Sequence, residues 1–334
     1  MEQNPSTRSC KILRRSIHHF LKNYHYFTTA SLLLAFPFSA ALLFSQSLLL
    51  PSSPLLFMTF HNHLISLFQA AGFPPSSQLF TILNHYISQT ITSSILILPF
   101  TLSFLLISKA SVIHFLSDQQ QNPSFSSFLS IYNSILSTQI CNSFLMLSAN
   151  ATCFSLLFIA FSCLEASGYS STSCLLVLVL SAAAAILYSI ILANTFVVCN
   201  LALVASGMDK SGGFLAIIPK ACVLIRGRTA TAVALAIPVN MALAAVEALF
   251  QYRVVRAFHT ATSSTALEGI LIAYMYSIIV VIDTIVNCEF FKSCKRGFRM
   301  DEEGGYAYGI PVEGQNGKAM DRAPLSSKVA HNFI

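Results

Sequence analysis

One carboxylate stands inside a long apolar run near the end of the chain. In YSIIVVIDTIVNCEFFKSCKR, residues 276–296, the nearest charged residue before Asp283 is Glu268. Read as a helix, Tyr276, Asp283 and Asn287 share one face, at steps of seven and four. A carboxylate at membrane depth costs about 2.5–3.5 kcal/mol on insertion scales, so it must face the interior of a bundle. Two chemistries suit such a group. One is a proton or cation relay. The other is a protonated carboxyl hydrogen-bonded to an amide, fixing the register of two helices. Asn240, near the middle of the adjoining span, and Asn194 are the expected partners. Lys109 is the nearest cation in a span, and the sequence alone has it snorkelling toward the cytoplasm.

Other residues offer weaker chemistry. Arg253 and Arg256 lie near Glu247 and Glu268, which suggests ion pairs at the lipid–water boundary or a site for an anion. His61, His63 and His85 share residues 51–88, but no carboxylate or cysteine accompanies them, so a solvated outer loop is expected rather than a metal site. Asn150-Ala151-Thr152 is a glycosylation sequon inside a span, where it should go unused. Lys11, Arg14, Arg15, Lys22, Lys220, Arg226 and Arg228 are placed to meet anionic headgroups. Of the nine cysteines, Cys163 and Cys174 flank a short outer loop and could pair. Cys288 and Cys294 are juxtamembrane candidates for palmitoylation. No nucleophile–base pattern, phosphate loop, dinucleotide fingerprint or zinc spacing occurs. The expectation is a non-enzymatic protein with no cofactor and no metal.

The elements that must hold these residues follow from composition. The chain is 54% hydrophobic and 10% charged, with a mean hydropathy of +0.67. Soluble domains carry about 25% charged residues, so the solvent here must largely be lipid. A helix needs roughly 20 apolar residues to cross the hydrocarbon core. Six stretches meet that length, at 27–50, 89–111, 139–164, 174–206, 229–250 and 269–291. The fold class expected is all-α, a six-span polytopic membrane domain over 1–299 with a disordered cytoplasmic tail from 300 to 334. With both termini cytoplasmic, all of the 19 lysines and arginines except Arg253 and Arg256 fall on the inner side. Positive charge spread over four short cytoplasmic segments makes nucleic acid a poor partner.

Each odd-numbered span follows an amphipathic segment. Phe125, Phe128, Leu129, Tyr132, Ile135 and Leu136 share one helical face. Phe214, Ile217, Ile218, Ala221, Leu224 and Ile225 repeat that pattern 89 residues later. Cys10, Leu13, Ile17, Phe20 and Leu21 give a third copy, beside the basic residues of the N-terminus. The unit predicted is an interfacial helix, a span out and a span back, three times over. Pro219 and the preceding Gly212–Gly213 should shorten the third interfacial helix to about 219–226. The partners implied are the bilayer and either other membrane proteins or further copies of this chain.

CNLALVASGMDKSGGFLAIIPKACVLIRGRTATAVALAIPVNMALAAVEALFQYRVVRAF, residues 199–258, resembles a multi-pass membrane protein family of land plants, and DTIVNCEFFKSCK, 283–295, adds to the likeness. The match is best over the last 100 residues. That family has no assigned activity, so the resemblance implies an endomembrane or plasma-membrane location and carries no catalytic residue. The arrangement is also distantly similar to bacterial membrane domains sometimes fused to glycerophosphodiester phosphodiesterases. The metal-binding acids of such a phosphodiesterase are missing from this chain.

Overall fold

The computed structural model describes residues 5–48, 54–70, 78–117, 125–166, 174–208, 214–225, 227–256 and 263–307. Among them there is no strand, and all but a few turn residues are helical. In chain order the helices are α1 (Pro5–Lys22), α2 (Tyr24–Ala30), α3 (Phe36–Leu48), α4 (Pro54–Ala70), α5 (Gln78–Phe100), α6 (Leu106–Ser117), α7 (Phe125–Ala166), α8 (Cys174–Met208), α9 (Phe214–Ile225), α10 (Thr229–Phe250) and α11 (Ser263–Ala307). The chain divides into two compact units, Met1–Arg296 and Gly297–Ile334. The tail expected to be disordered from residue 300 is instead helical to Ala307, the end of α11, and from 308 onward lies outside the described residues.

Five helices among the described residues are long and apolar enough to cross a membrane: Tyr24–Ser45, Ile87–Ser117, Ala182–Met208, Thr229–Val255 and Thr265–Gly297. The chain is an all-α protein with the spans of an integral membrane protein. Residues 139–164 fall inside α7, one unbroken helix of 42 residues. The amphipathic segment at 125–136 is therefore the first part of α7 and not a separate interfacial helix. α9 starts at Phe214 and runs through Pro219, earlier than the sequence suggests. Pro219 is the sixth of the twelve residues, so it removes a backbone bond inside the helix without ending it.

Among the described residues, three π-helical turns lie in the spans, at Ser31–Ala35, Thr101–Leu105 and Gln251–Val255. The first two adjoin Pro37 and Pro99, whose missing N–H groups disturb the helical ladder. Hydroxyls take up carbonyls there. Ser39 Oγ donates to Ala35 O at 3.0 Å, Ser103 Oγ to Pro99 O at 2.6 Å and Thr101 Oγ1 to Ile97 O at 3.2 Å. In lipid no water can do this, so the side chains must.

The stretch expected as an outer loop, 51–88, is largely helical: α4 packs on α5. His61 is half-buried there, and its Nδ1 accepts a hydrogen bond from Asn84 Nδ2 at 3.0 Å. The Phe57 ring stacks on His61 at 5.6 Å and meets His85 edge-on at 5.3 Å. His61 thus belongs to a packed hairpin, a correction to the solvated reading; His63 and His85 are exposed.

Two clusters make the core. The larger joins α1, α2, α6, α7, α8, α9, α10 and α11 through residues such as Phe27, Ile113, Ile135, Val204, Leu235 and Ile285. The smaller centres on Phe250, with Phe38, Leu43, Ile272 and Tyr276. α11 is the central element, with 56% of its most apolar stretch buried. α1 packs on α10. It buries Ser9, Ser16 and Phe20, while Ile17 and Leu21 on its other flank are 44% and 62% exposed. The N-terminal amphipathic helix is therefore docked on the bundle by one flank and uncovered on the other.

Candidate functional site

Asp283 is half-buried on α11, and its first partner comes from its own helix. Asn287, one turn on, donates from Nδ2 to Asp283 Oδ1 at 3.1 Å and to Asp283 O at 2.9 Å. Lys109 of α6 is half-buried and near enough for its charge to act on Asp283 and Cys288. A carboxylate facing it gives a long cationic side chain a reason to stay within the bundle.

Tyr276 is buried on the same helix, in the smaller core cluster. Asn240 and Asn194 are not partners of Asp283. Both are exposed, and Asn240 Nδ2 donates to Ala236 O of its own helix at 2.9 Å. Their azimuth around the helix turns them outward.

Space around the site is divided. Asp283, Asn287 and Asn200 line an enclosed cavity of about 10 Å³, walled by Phe196, Leu235 and Phe290. That is the size of a single water. On the far side of Phe196, Val197 and Ala236 lies a lateral groove of about 580 Å³ between α8 and α10. Its lining is apolar apart from Ser189 and Asn240. Ligand sites commonly fall in the range of about 300–1,000 Å³ and are mostly apolar with a few polar groups.

A second charged node lies further along α11. Glu289 is 3% exposed, with Lys292 Nζ 3.4 Å and His19 Nε2 3.9 Å from its Oε1. Lys292 Nζ also donates to Leu116 O, at the end of α6, at 3.1 Å. Three helices, α1, α6 and α11, meet there. Asp283 is therefore not the only acid in its span. The sequence carries a signal of this node, an acid and a base three residues apart on one helix.

The chain matches the model of a domain of unknown function, DUF8558, over residues 7–301. It belongs to the DUF8558 family. No curated protein and no solved structure matches it. The family's span covers every residue of the two charged nodes and the groove.

The remaining sequence candidates divide by exposure. Lys11, Arg14, Arg15, Lys22 and Lys220 are exposed. Arg228 is committed to the protein: its Nη1 donates to Ser293 O at 3.2 Å and Cys294 O at 3.5 Å. Arg226 lies outside the described residues. Cys288 and Cys294 are 0% and 2% exposed, which places both thiols in the core and away from any acyl donor. The palmitoylation reading fails on that burial. The side chain of Cys174 is outside the described ones, and with it the pairing with Cys163. Arg253 Nη1 stands 4.0 Å from Glu268 Oε2, both groups well exposed, an ion pair worth little. Asn150 of the sequon accepts a hydrogen bond from Tyr188 Oη at 3.0 Å, inside α7.

Proposed function

We propose that this chain is a non-enzymatic integral membrane protein that acts by binding a hydrophobic partner, lipid or protein, in the lateral groove between α8 and α10. On this reading it has six spans in three helix–span–span units, with α1, the start of α7 and α9 at the cytoplasmic entrances. Both termini are cytoplasmic, and the exposed basic residues of α1, with Lys220, contact anionic headgroups. The land-plant resemblance points to the endomembrane system or plasma membrane.

One observation carries the reading. The space beside Asp283 is about 10 Å³, while the large cavity of about 580 Å³ is apolar and lateral. A relay needs a polar route to its carboxylate; a binder needs an accessible apolar surface. The Asp283–Asn287 pair with Lys109 then serves to fix α11 against α6.

A rival reading, a small-solute or ion transporter using Asp283, draws on the opposite charges of Asp283 and Lys109 within the spans. Purification of the full chain in nanodiscs, followed by native mass spectrometry and by ion and proton flux in liposomes, separates the two. Retained lipid or protein without flux supports binding. Flux abolished by Asp283→Asn would replace it with transport.

A further inference from the structure

Three helices meet at the small cavity beside Asp283, and its polar lining comes from two of them. α10 contributes Ala232, Leu235 and Ala236. α8 brings Asn200, and α11 brings Asp283 and Asn287. All three polar residues lie inside apolar spans, Asn200 in Ala182–Met208 and the others in Thr265–Gly297.

The hydrogen bonds of these side chains are incomplete among the described residues. Asn287 Nδ2 donates to Asp283 O at 2.9 Å and to Asp283 Oδ1 at 3.1 Å. Both are acceptors, which fixes the orientation of the Asn287 amide and leaves its Oδ1 over. A carboxylate offers about four acceptor positions, and Asn287 takes one of them. Asn200 has no hydrogen-bond partner among the described residues, although a primary amide both donates and accepts. Its neighbour in sequence is engaged differently: Cys199 O accepts from Asn142 Nδ2 at 2.9 Å. Acyl chains do not answer this demand. Phe196, Leu235 and Phe290 wall the cavity, and lipid tails carry no donor or acceptor.

We propose that this cavity holds one structural water, which bridges Asn200 of α8 to Asp283 and Asn287 of α11. Its volume of about 10 Å³ admits a single water. A buried water makes about three hydrogen bonds to protein groups that lack other partners. Here it accepts from Asn200 Nδ2 and donates to the Asp283 carboxylate and to Asn287 Oδ1, so one molecule serves three side chains. A bare cation suits the site less well, because the charge of Lys109 already acts on Asp283 and a second positive charge would be held near the first. The bridge makes Asn200 a positioning residue for Asp283. It ties α11 to α8 at the level where Lys109 of α6 also acts. The water is independent of whatever fills the lateral groove, although Phe196, Val197 and Ala236 wall both spaces.

The test begins with a structure of the full chain in lipid at a resolution that shows ordered water. One peak is expected within about 3 Å of polar atoms of Asn200, Asp283 and Asn287. Asn200→Leu, close in volume but without the amide, should remove the peak and lower the thermal midpoint by roughly 2–4 °C. Asn200→Leu and Asn287→Leu should together lose less than the sum of the single changes, because both act through the same water. A direct hydrogen bond from Asn200 to Asp283 or Asn287 with no peak between them would overturn the proposal, and so would additive losses. A midpoint that rises in sodium relative to choline at equal ionic strength would put a cation in place of the water. If Asn200→Leu does not fold, the peak and the salt comparison in the unaltered chain decide the matter.

Discussion

His19 Nε2 on α1 stands 3.9 Å from Glu289 Oε1 on α11, and Lys292 Nζ approaches the same oxygen at 3.4 Å. Since Lys292 also donates to Leu116 O, the node ties the N-terminal helix and the end of α6 to the central helix. Glu289→Ala leaves a partly buried ammonium with a carbonyl as its remaining acceptor. The expected cost is about 1–3 kcal/mol, the penalty for unsatisfying a buried polar group. It should fall first on α1, whose hold on the bundle is one flank. Trypsin should cleave at Lys11, Arg14 and Arg15 faster in the variant, before the thermal transition of the bundle. Equal cleavage rates would show that α1 docks without this node.

Gly207 on α8 faces Ile113 of α6 and Ile135 of α7. A Cβ built there would lie 2.8 Å from Ile113 Cγ2 and 3.1 Å from Ile135 Cδ1. Ile113 and Ile135 are both 0% exposed, and a γ-methyl on a β-branched side chain has little room to yield. Gly207→Ala should destabilise by about 1–3 kcal/mol, the usual penalty for overpacking. Thermal unfolding in detergent checks it, with Gly227→Ala as a different case. Gly227 has open space around its Cβ position, but its φ of 79° is unfavourable for alanine.

Thiol accessibility reads both topology and burial. Cys10 on α1 and Cys222 on α9 are exposed, while Cys288 and Cys294 are buried. In sealed vesicles with the cytoplasmic face outward, an impermeant maleimide should label Cys10 and Cys222. Cys288 and Cys294 should react only after denaturation. Labelling of Cys10 solely in vesicles of the opposite sidedness would reverse the orientation drawn from the basic residues.

The sequence was most legible where hydrophobicity alone decides structure. Long apolar runs became helices because a backbone in lipid has no other way to satisfy itself. The face shared by Asp283 and Asn287 was legible too, because it depends on helical period and nothing else. What failed needed knowledge of neighbours. Which way Asn194 and Asn240 turn depends on how α8 and α10 pack. Lys109 looked free to snorkel because snorkelling is a local argument, whereas its partner lies 174 positions away. Cys288 and Cys294 looked juxtamembrane because the apolar run fades there. Packing by α1, α6, α9 and α10 extends the protein interior past the point where hydropathy stops.

The pairing of Lys109 with Asp283 admits a direct test by double-mutant cycle. Asp283→Asn keeps the shape and a hydrogen-bond acceptor for Asn287, but removes the charge that Lys109 faces. Lys109→Met keeps the stem and removes the opposite charge. If the two groups fix α11 against α6, each single change should lower stability by about 1 kcal/mol, the scale of polar contacts between membrane helices. The double variant should then lose less than the sum, because neither partner is left behind. Abundance in the membrane and the thermal midpoint in detergent provide the measurement. Asp283→Leu should be worse than Asp283→Asn, since Asn287 then loses its side-chain acceptor. Additive losses would mean that the charges do not cooperate in the fold. If Asp283→Asn accumulated normally yet failed to rescue the phenotype of a deletion strain, the charge itself would matter. The transport reading would then displace the structural one.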